Sequence, residues 1–216
     1  MGRAIYVSSV NGDDANSGYA PEKAFRSLRK VNQMEIQPGD QILLERGSVF
    51  AGEYLHLYKG GTKEAPVVVD AYGEGALPRI EADGNGIWYQ NYGGHLDNVV
   101  HTWKGYLSSA VLLYDAEYIT VRNLEITNDP LVKNERMNQA DRMNRTGVSV
   151  IAQNHGTLHQ IELAYLYVHD VEGNIYDKHL NNGGIYMSVS RPDDEEKTGI
   201  ARYDGIHIHH CKVENC

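Results

Sequence analysis

Cysteine is nearly absent. The two present, Cys211 and Cys216, sit close together at one end of the sequence, so no disulfide framework can organise the chain. The opening residues, MGRAIYVSS, lack the apolar stretch of a secretory signal. No hydrophobic run approaches the length that crosses a bilayer, which argues against membrane insertion. Basic residues are outnumbered, 20 against 29 acidic ones, for a formal net charge of −9. That balance works against wrapping nucleic acid or docking on anionic membranes. It also repels anionic polysaccharides unless a basic cleft or a cation intervenes, whereas neutral sugars meet no such penalty. Phenylalanine is scarce too: two residues against 15 tyrosines, a ratio that favours wet, hydrogen-bonding surfaces. With 41% hydrophobic residues in 216, there is enough apolar material for one core, and residues 1–216 read as a single domain.

What is present is an internal repeat. YITVRNLEITND (118–129), QIELAYLYVHDV (160–171) and GIHIHHCKVENC (205–216) superimpose without gaps. A second set, AVLLYD from Ala110, GVSVIA from Gly147 and GIYMSV from Gly184, alternates with the first. Stacked, the segments place Ile119, Ile161 and Ile206 in one inward column. Val121, Leu163 and Ile208 form the next, then Leu124, Leu166 and Cys211, then Ile126, Val168 and Val213. The last column, Asn128, Asp170 and Asn215, is polar at every level and reads as a ladder of side chains bonded at the turns. Strands without intervening helices, joined by long loops rather than tight hairpins, predict an all-β solenoid of parallel strands over a sandwich. Before the coils, Pro21 to Met34 spaces Ala24, Phe25, Leu28, Val31 and Met34 helically, and predicts a short capping helix over 21–34. The final strand, with its apolar alternation, predicts an open edge. Further C-terminal coils are the first expectation there, so that the chain is a truncated piece, and end-to-end association is the competitor.

YVSSVNGDDANSG, AFRSLRKV, PGDQILLERGSVF and GTKEAPVVVDAYGEG resemble the entry segment of right-handed parallel β-helix proteins of the pectate-lyase-like superfamily. VRNLEITN and IHHCKVENC resemble its coil pattern. The resemblance implies a carbohydrate-active protein in a secreted or cell-surface setting, with glycoside hydrolysis preferred on the acidic surface. Alternatives are a polysaccharide lyase working by calcium-assisted β-elimination, and a non-catalytic glycan-binding or structural module.

Candidate chemistry lies in the long loops. Trp88, Tyr89, Trp103 and Tyr106, with Tyr186 from GIYMSV, offer aromatic faces for stacking on sugar rings. VEGNIYDKHLNNGG brings together Asp177, Lys178 and His179, and Arg191 follows the next strand. A hydrolase needs two carboxylates, and Asp177 can pair with Asp115, Asp193 or Asp194. A lyase needs a base and a cation at the enolate, roles open to Lys178 and Arg191. Asp193 and Asp194 are the metal candidates, with calcium the implied ion, although hydrolysis would require no cofactor. A calcium reading of Asp13, Asp14 and Asn16 has the wrong spacing for an EF-hand loop. His207 and His209 alternate on a strand and read as one surface rung rather than a zinc site.

Overall fold

The computed structural model describes residues 2–90, 105–130, 143–173 and 181–216. It is an all-β protein built on three sheets. The first runs β1 (Ala4–Val7), β2 (Gln41–Glu45), β5 (Val67–Tyr72), β9 (Ile119–Arg122), β12 (Thr157–Ala164) and β15 (Arg202–His209). A second contains β3 (Val49–Ala51), β6 (Arg79–Glu81), β10 (Glu125–Asn128), β13 (Tyr167–Val171) and β16 (Lys212–Glu214). The third contains β4 (Leu55–Leu57), β8 (Tyr106–Tyr114), β11 (Asn144–Ala152) and β14 (Gly183–Val189). From β2 onward the chain visits the sheets in a fixed cyclic order. Apart from β7 (Ile87–Tyr89) and β8, consecutive strands therefore lie in different sheets, and neighbours within a sheet are parallel. Among the described strands, β7 pairs antiparallel, along β8.

Alternation along each strand fills the space between the sheets. Ile42, Leu44, Val67, Val69, Ile119, Val121, Ile161 and Leu163 face in from the first sheet, Phe50, Ile80, Ile126 and Val168 from the second, and Val111, Leu113, Val148 and Val150 from the third, in one core. Pairing aligns Ile119, Ile161 and Ile206, then Val121, Leu163 and Ile208. From β9 onward, the corners between the first and second sheets are two residues long. Their leading residues, Asn123, Tyr165 and His210, hold φ of 58°, 53° and 54°. Asparagine adopts this left-handed region readily, but tyrosine and histidine do so at some cost. Hydrogen bonds to the adjacent layer hold them there: the Asn123 and Tyr165 N–H groups donate to the Ala164 and His209 carbonyls.

Two sequence expectations change here. The polar column breaks, because a bulge pairs Asn128 with Val171 instead of Asp170. Asn128 is fully buried, where its Nδ2 donates to the Ser108 and Thr146 carbonyls and its Oδ1 accepts from the Gly84 N–H. Asp170 turns outward with φ 48° and keeps only a long 3.4 Å bond from Asn215 Nδ2 within that column. The helix over 21–34 also shrinks, to a 3-10 turn at Pro21–Lys23 and α1 (Leu28–Asn32). Phe25 between them is extended and bridges Val7. Asp14 accepts from the Arg26 and Ser27 N–H groups and from the Ser27 hydroxyl, which holds that stretch out of helical conformation. Leu28 and Val31 still bury their side chains against the core.

Candidate functional site

The outer face of the third sheet collects the aromatic candidates. Pairing with β8 lays Trp88 over a second apolar cluster of Leu107, Leu112 and Ile151, flanked by Tyr114 and Tyr186. Trp88 is only 7% exposed. Its indole N–H donates to Ser109 Oγ at 2.8 Å, and Ser109 joins Thr146 and Ser149 in a buried hydroxyl network. Tyr89 and Tyr106 are each 54% exposed and meet edge to face with centroids 5.0 Å apart. Trp103 lies outside the described residues.

At the end of this face, Asp115 accepts from the Gln153 and Asn154 N–H groups at 2.7 and 2.9 Å, so its carboxylate fixes the turn after β11. Asp193 and Asn154 exchange two hydrogen bonds of 2.8 Å. Arg191 is exposed, lies 3.8 Å from Glu195, and offers its carbonyl to Gln153 Nε2. Asp194 caps α2 (Glu195–Thr198) by accepting from the Lys197 N–H. The Tyr114 hydroxyl donates to Gln153 Oε1 and is pushed up to about 12 by burial, reinforced by Asp115 and Asp193. Asp115, Arg191 and Asp193 are thus gathered around Gln153 and Asn154. Asp177, Lys178 and His179 fall outside the described residues. Among the described residues, no group of three or more His, Cys, Asp or Glu side chains is placed to hold a metal ion. His209 Nε2 faces Glu162 at 3.0 Å, across one rung.

Carboxylates concentrate elsewhere, in a cleft of about 290 Å³ on the outer face of the second sheet, lined by Arg79, Glu81, Asp83, Thr127, Asp129, Pro130, His169 and Asp170. Its residues arrive from outward positions of β6, β10 and β13, where Glu81 pairs with Thr127, and from the bends that follow. His169 is clamped: Nδ1 lies 2.7 Å from Asp170 Oδ2 and Nε2 3.0 Å from Glu125 Oε1. Burial opposes its charge, but these two hydrogen bonds outweigh it and hold its pKa above the ordinary histidine range. Arg79 spans Glu81 at 2.8 Å and Glu125 at 3.4 Å. Asp83 and Asp170, both lining the cleft, carry positive φ of 53° and 48°. Several acids in one concavity beside an imidazole and a guanidinium are the kinds of group that protonation of a leaving oxygen and attack at a sugar carbon use. A larger groove of about 670 Å³ along α1 has some of its polar side chains engaged: Glu53 accepts from the Leu28 N–H, and Asn32 bridges Tyr54 and His56.

Sequence reasoning missed the cleft. The stacked repeat places Asp170 in the polar ladder and singles out none of Arg79, Glu81, Asp83, Asp129 and His169. The available signal was the alternation of YVHDV, which sends His169 outward once Val168 is placed inward.

The chain is similar to two solved structures of GH136 lacto-N-biosidase from Eubacterium ramulus, native and selenomethionine-substituted. Each is 55% identical with a TM-score of 0.91, and the match covers 99–100% of this chain and 34% of theirs. It is also 37% identical to lacto-N-biosidase of Bifidobacterium longum subsp. longum, over 99% of this chain and 15% of that protein. The chain therefore spans about a third or less of the relatives it matches. No protein-family model matches it. A rhamnogalacturonan lyase, at 10% identity and a TM-score of 0.46, is too distant to carry an argument. These findings overturn the resemblance to the pectate-lyase-like superfamily: similarity over the whole chain leads to GH136 lacto-N-biosidases instead.

Proposed function

We propose that this chain is part of a glycoside hydrolase that releases lacto-N-biose from a neutral oligosaccharide. The observation that carries the reading is the 55% identity to the E. ramulus enzyme over the full length of the chain. The net charge of −9 suits a neutral substrate. In this reading the reacting carboxylates come from the second-sheet cleft, Asp170, Asp129, Asp83 and Glu81, with Asp177 a further candidate from the adjoining sequence. Lys178, His179, Arg191 and Asp115 are candidates for orienting the glycan, and Tyr89, Tyr106 and Tyr186 for stacking against it. Hydrolysis by two carboxylates would need no cofactor. We infer further that the three sheets are faces of one solenoid, because the chain visits them in an unbroken cycle from β2 to β16, and that the protein works among extracellular or cell-surface glycans.

The test uses the full-length protein that carries this sequence, with a chromogenic lacto-N-bioside and a panel of neutral and acidic glycans. Release of lacto-N-biose, lost by 100-fold or more (on the order of a general acid's or base's contribution) when one cleft aspartate becomes asparagine, supports the proposal. Binding without release from any glycan would favour the non-catalytic reading. Activity that survives Asp83→Asn, Asp129→Asn, Asp170→Asn and Glu81→Gln would move the reaction out of the cleft.

A further inference from the structure

Two of the buried side-chain amides, Asn128 and Gln90, have opposite fates. Asn128 is bonded through both ends of its carboxamide. Gln90, which follows β7 and is fully buried, is not. Its Nε2 lies 3.5 Å from the Tyr186 hydroxyl, 3.4 Å from Ser188 Oγ and 3.5 Å from Ser190 Oγ, three contacts at the long limit of hydrogen bonding. Its Oε1 receives no hydrogen bond among the described residues. A buried carbonyl oxygen without a donor is destabilising, so a fold optimised for stability alone would carry an apolar residue there. The hydroxyls it faces are not sealed: Tyr186 and Ser188 are half-buried on the outer face of β14, beside the cluster that contains Trp88 and Tyr114.

We propose that Gln90, Tyr186 and Ser188 form a subsite for a neutral sugar, in which Gln90 is a specificity-determining residue; this rests on the glycan-cleaving reading above. A sugar hydroxyl is both donor and acceptor, and two adjacent hydroxyls supply what this amide lacks: a donor for Oε1 and a closer acceptor for Nε2. The terminal torsion of glutamine is broad, so the carboxamide can swing toward the half-buried hydroxyls without leaving a rotamer well. All the polar groups in the set are neutral, so a charged ligand would be buried there without compensation. The tyrosine ring adds an apolar face of the kind sugar rings pack against.

The experiment compares the full-length protein with Gln90→Met, close in size but unable to hydrogen-bond well, and with Ser188→Ala. It measures the dissociation constant for lacto-N-biose by calorimetry, kcat and KM on the chromogenic bioside, and Tm. Gln90→Met should weaken lacto-N-biose binding about three- to tenfold, the worth of one neutral hydrogen bond. It should raise KM more than it lowers kcat, and leave Tm level or higher. An amide with a purely structural role gives the reverse, a lower Tm with unchanged affinity, and that result overturns the inference. If Gln90→Met loses both stability and affinity, Ser188→Ala decides: weaker binding there supports the subsite, and unchanged binding overturns it. A wild-type protein that binds lacto-N-biose with this dependence but hydrolyses nothing keeps the subsite and removes the hydrolase reading. Hydrolysis indifferent to Gln90 does the opposite, and a protein that neither binds nor hydrolyses removes both.

Discussion

Replacing Asn128 with leucine should be among the most damaging single changes outside the apolar core. The side chain has no exposed surface, and its Oδ1 accepts from the Gly84 N–H at 2.9 Å while Nδ2 reaches the Thr146 carbonyl at 3.0 Å and the Ser108 carbonyl at 3.2 Å. Leucine fills a similar volume but leaves the two buried carbonyls and the part-buried Gly84 N–H without this partner. Each orphaned buried group costs about 1–3 kcal/mol, and the added apolar burial returns about 1 kcal/mol, so a net loss of about 3 kcal/mol follows. In a chain of this size that lowers Tm by about 6–12 °C. Asn215→Leu, at a position sequence alone treats as equivalent, breaks one bond of 3.4 Å on an exposed side chain and should shift Tm by about 1–2 °C at most. Thermal unfolding of the two variants beside wild type is the assay. A loss at Asn128 below about 1 kcal/mol, or equal losses at the two sites, would refute the argument that the bulge at Asp170 leaves Asn128 alone to satisfy this corner.

Other consequences follow from the same physics. His56 is buried and its pKa is lowered to about 4, by burial first, against the hydrogen bond to the Ser109 carbonyl. The unfolded chain therefore takes up a proton that the folded one refuses, and stability should fall by about 3 kcal/mol as pH drops from 6.5 toward 4. His56→Gln keeps a donor and should flatten this acid limb, so parallel Tm profiles for the two proteins would sink the assignment. His169 has the opposite sign. Its raised pKa gives stability that is complete below 6.5 and disappears as pH climbs through the folded value, so the deficit of His169→Gln in denaturant titrations should be largest in acid and close at alkaline pH. Gly147→Ala would set a methyl group 2.4 Å from Val168 Cγ1 and 2.6 Å from the Gly184 carbonyl. It should cost about 1–3 kcal/mol through overpacking, and a neutral result in a melting experiment would mean that β11 and β14 can separate.

The inward columns were legible because strict alternation of Ile119 with Val121, or Ile161 with Leu163, has one solution when a single face is buried. The break at Asn128 was not, because the sequence shows three polar residues at matching offsets and carries no mark of a bulge that slips one of them outward. The residues from Ala24 to Met34 do repeat at helical spacing, yet Phe25 finds burial against Val7 in an extended chain, and Asp14, a dozen residues earlier, supplies the acceptors that make the non-helical path stable. Trp88 read as an open stacking surface because nothing local to it reveals that Ser109 will take its N–H. The cleft was hidden for a different reason. Its acids come from three successive layers, Glu81 and Asp83 from one, Asp129 from the next and Asp170 from the third, so the whole set meets only after the layers are stacked.

The two-residue corners between the first and second sheets have an evolutionary consequence. At Asn123 and Tyr165 every turn hands its N–H to the adjacent layer, so a single inserted residue there would throw all later rungs out of alignment. The stretches that lead from the second sheet to the third in the same layers are longer, at residues 129–143 and 172–182. In these layers one edge is therefore a ruler that fixes spacing, and the longer connections are a margin where sequence can be written in or struck out with less disturbance to the count. Variation in what such proteins grip should accumulate on that margin, beside the cleft, while the ruled edge drifts only by substitution.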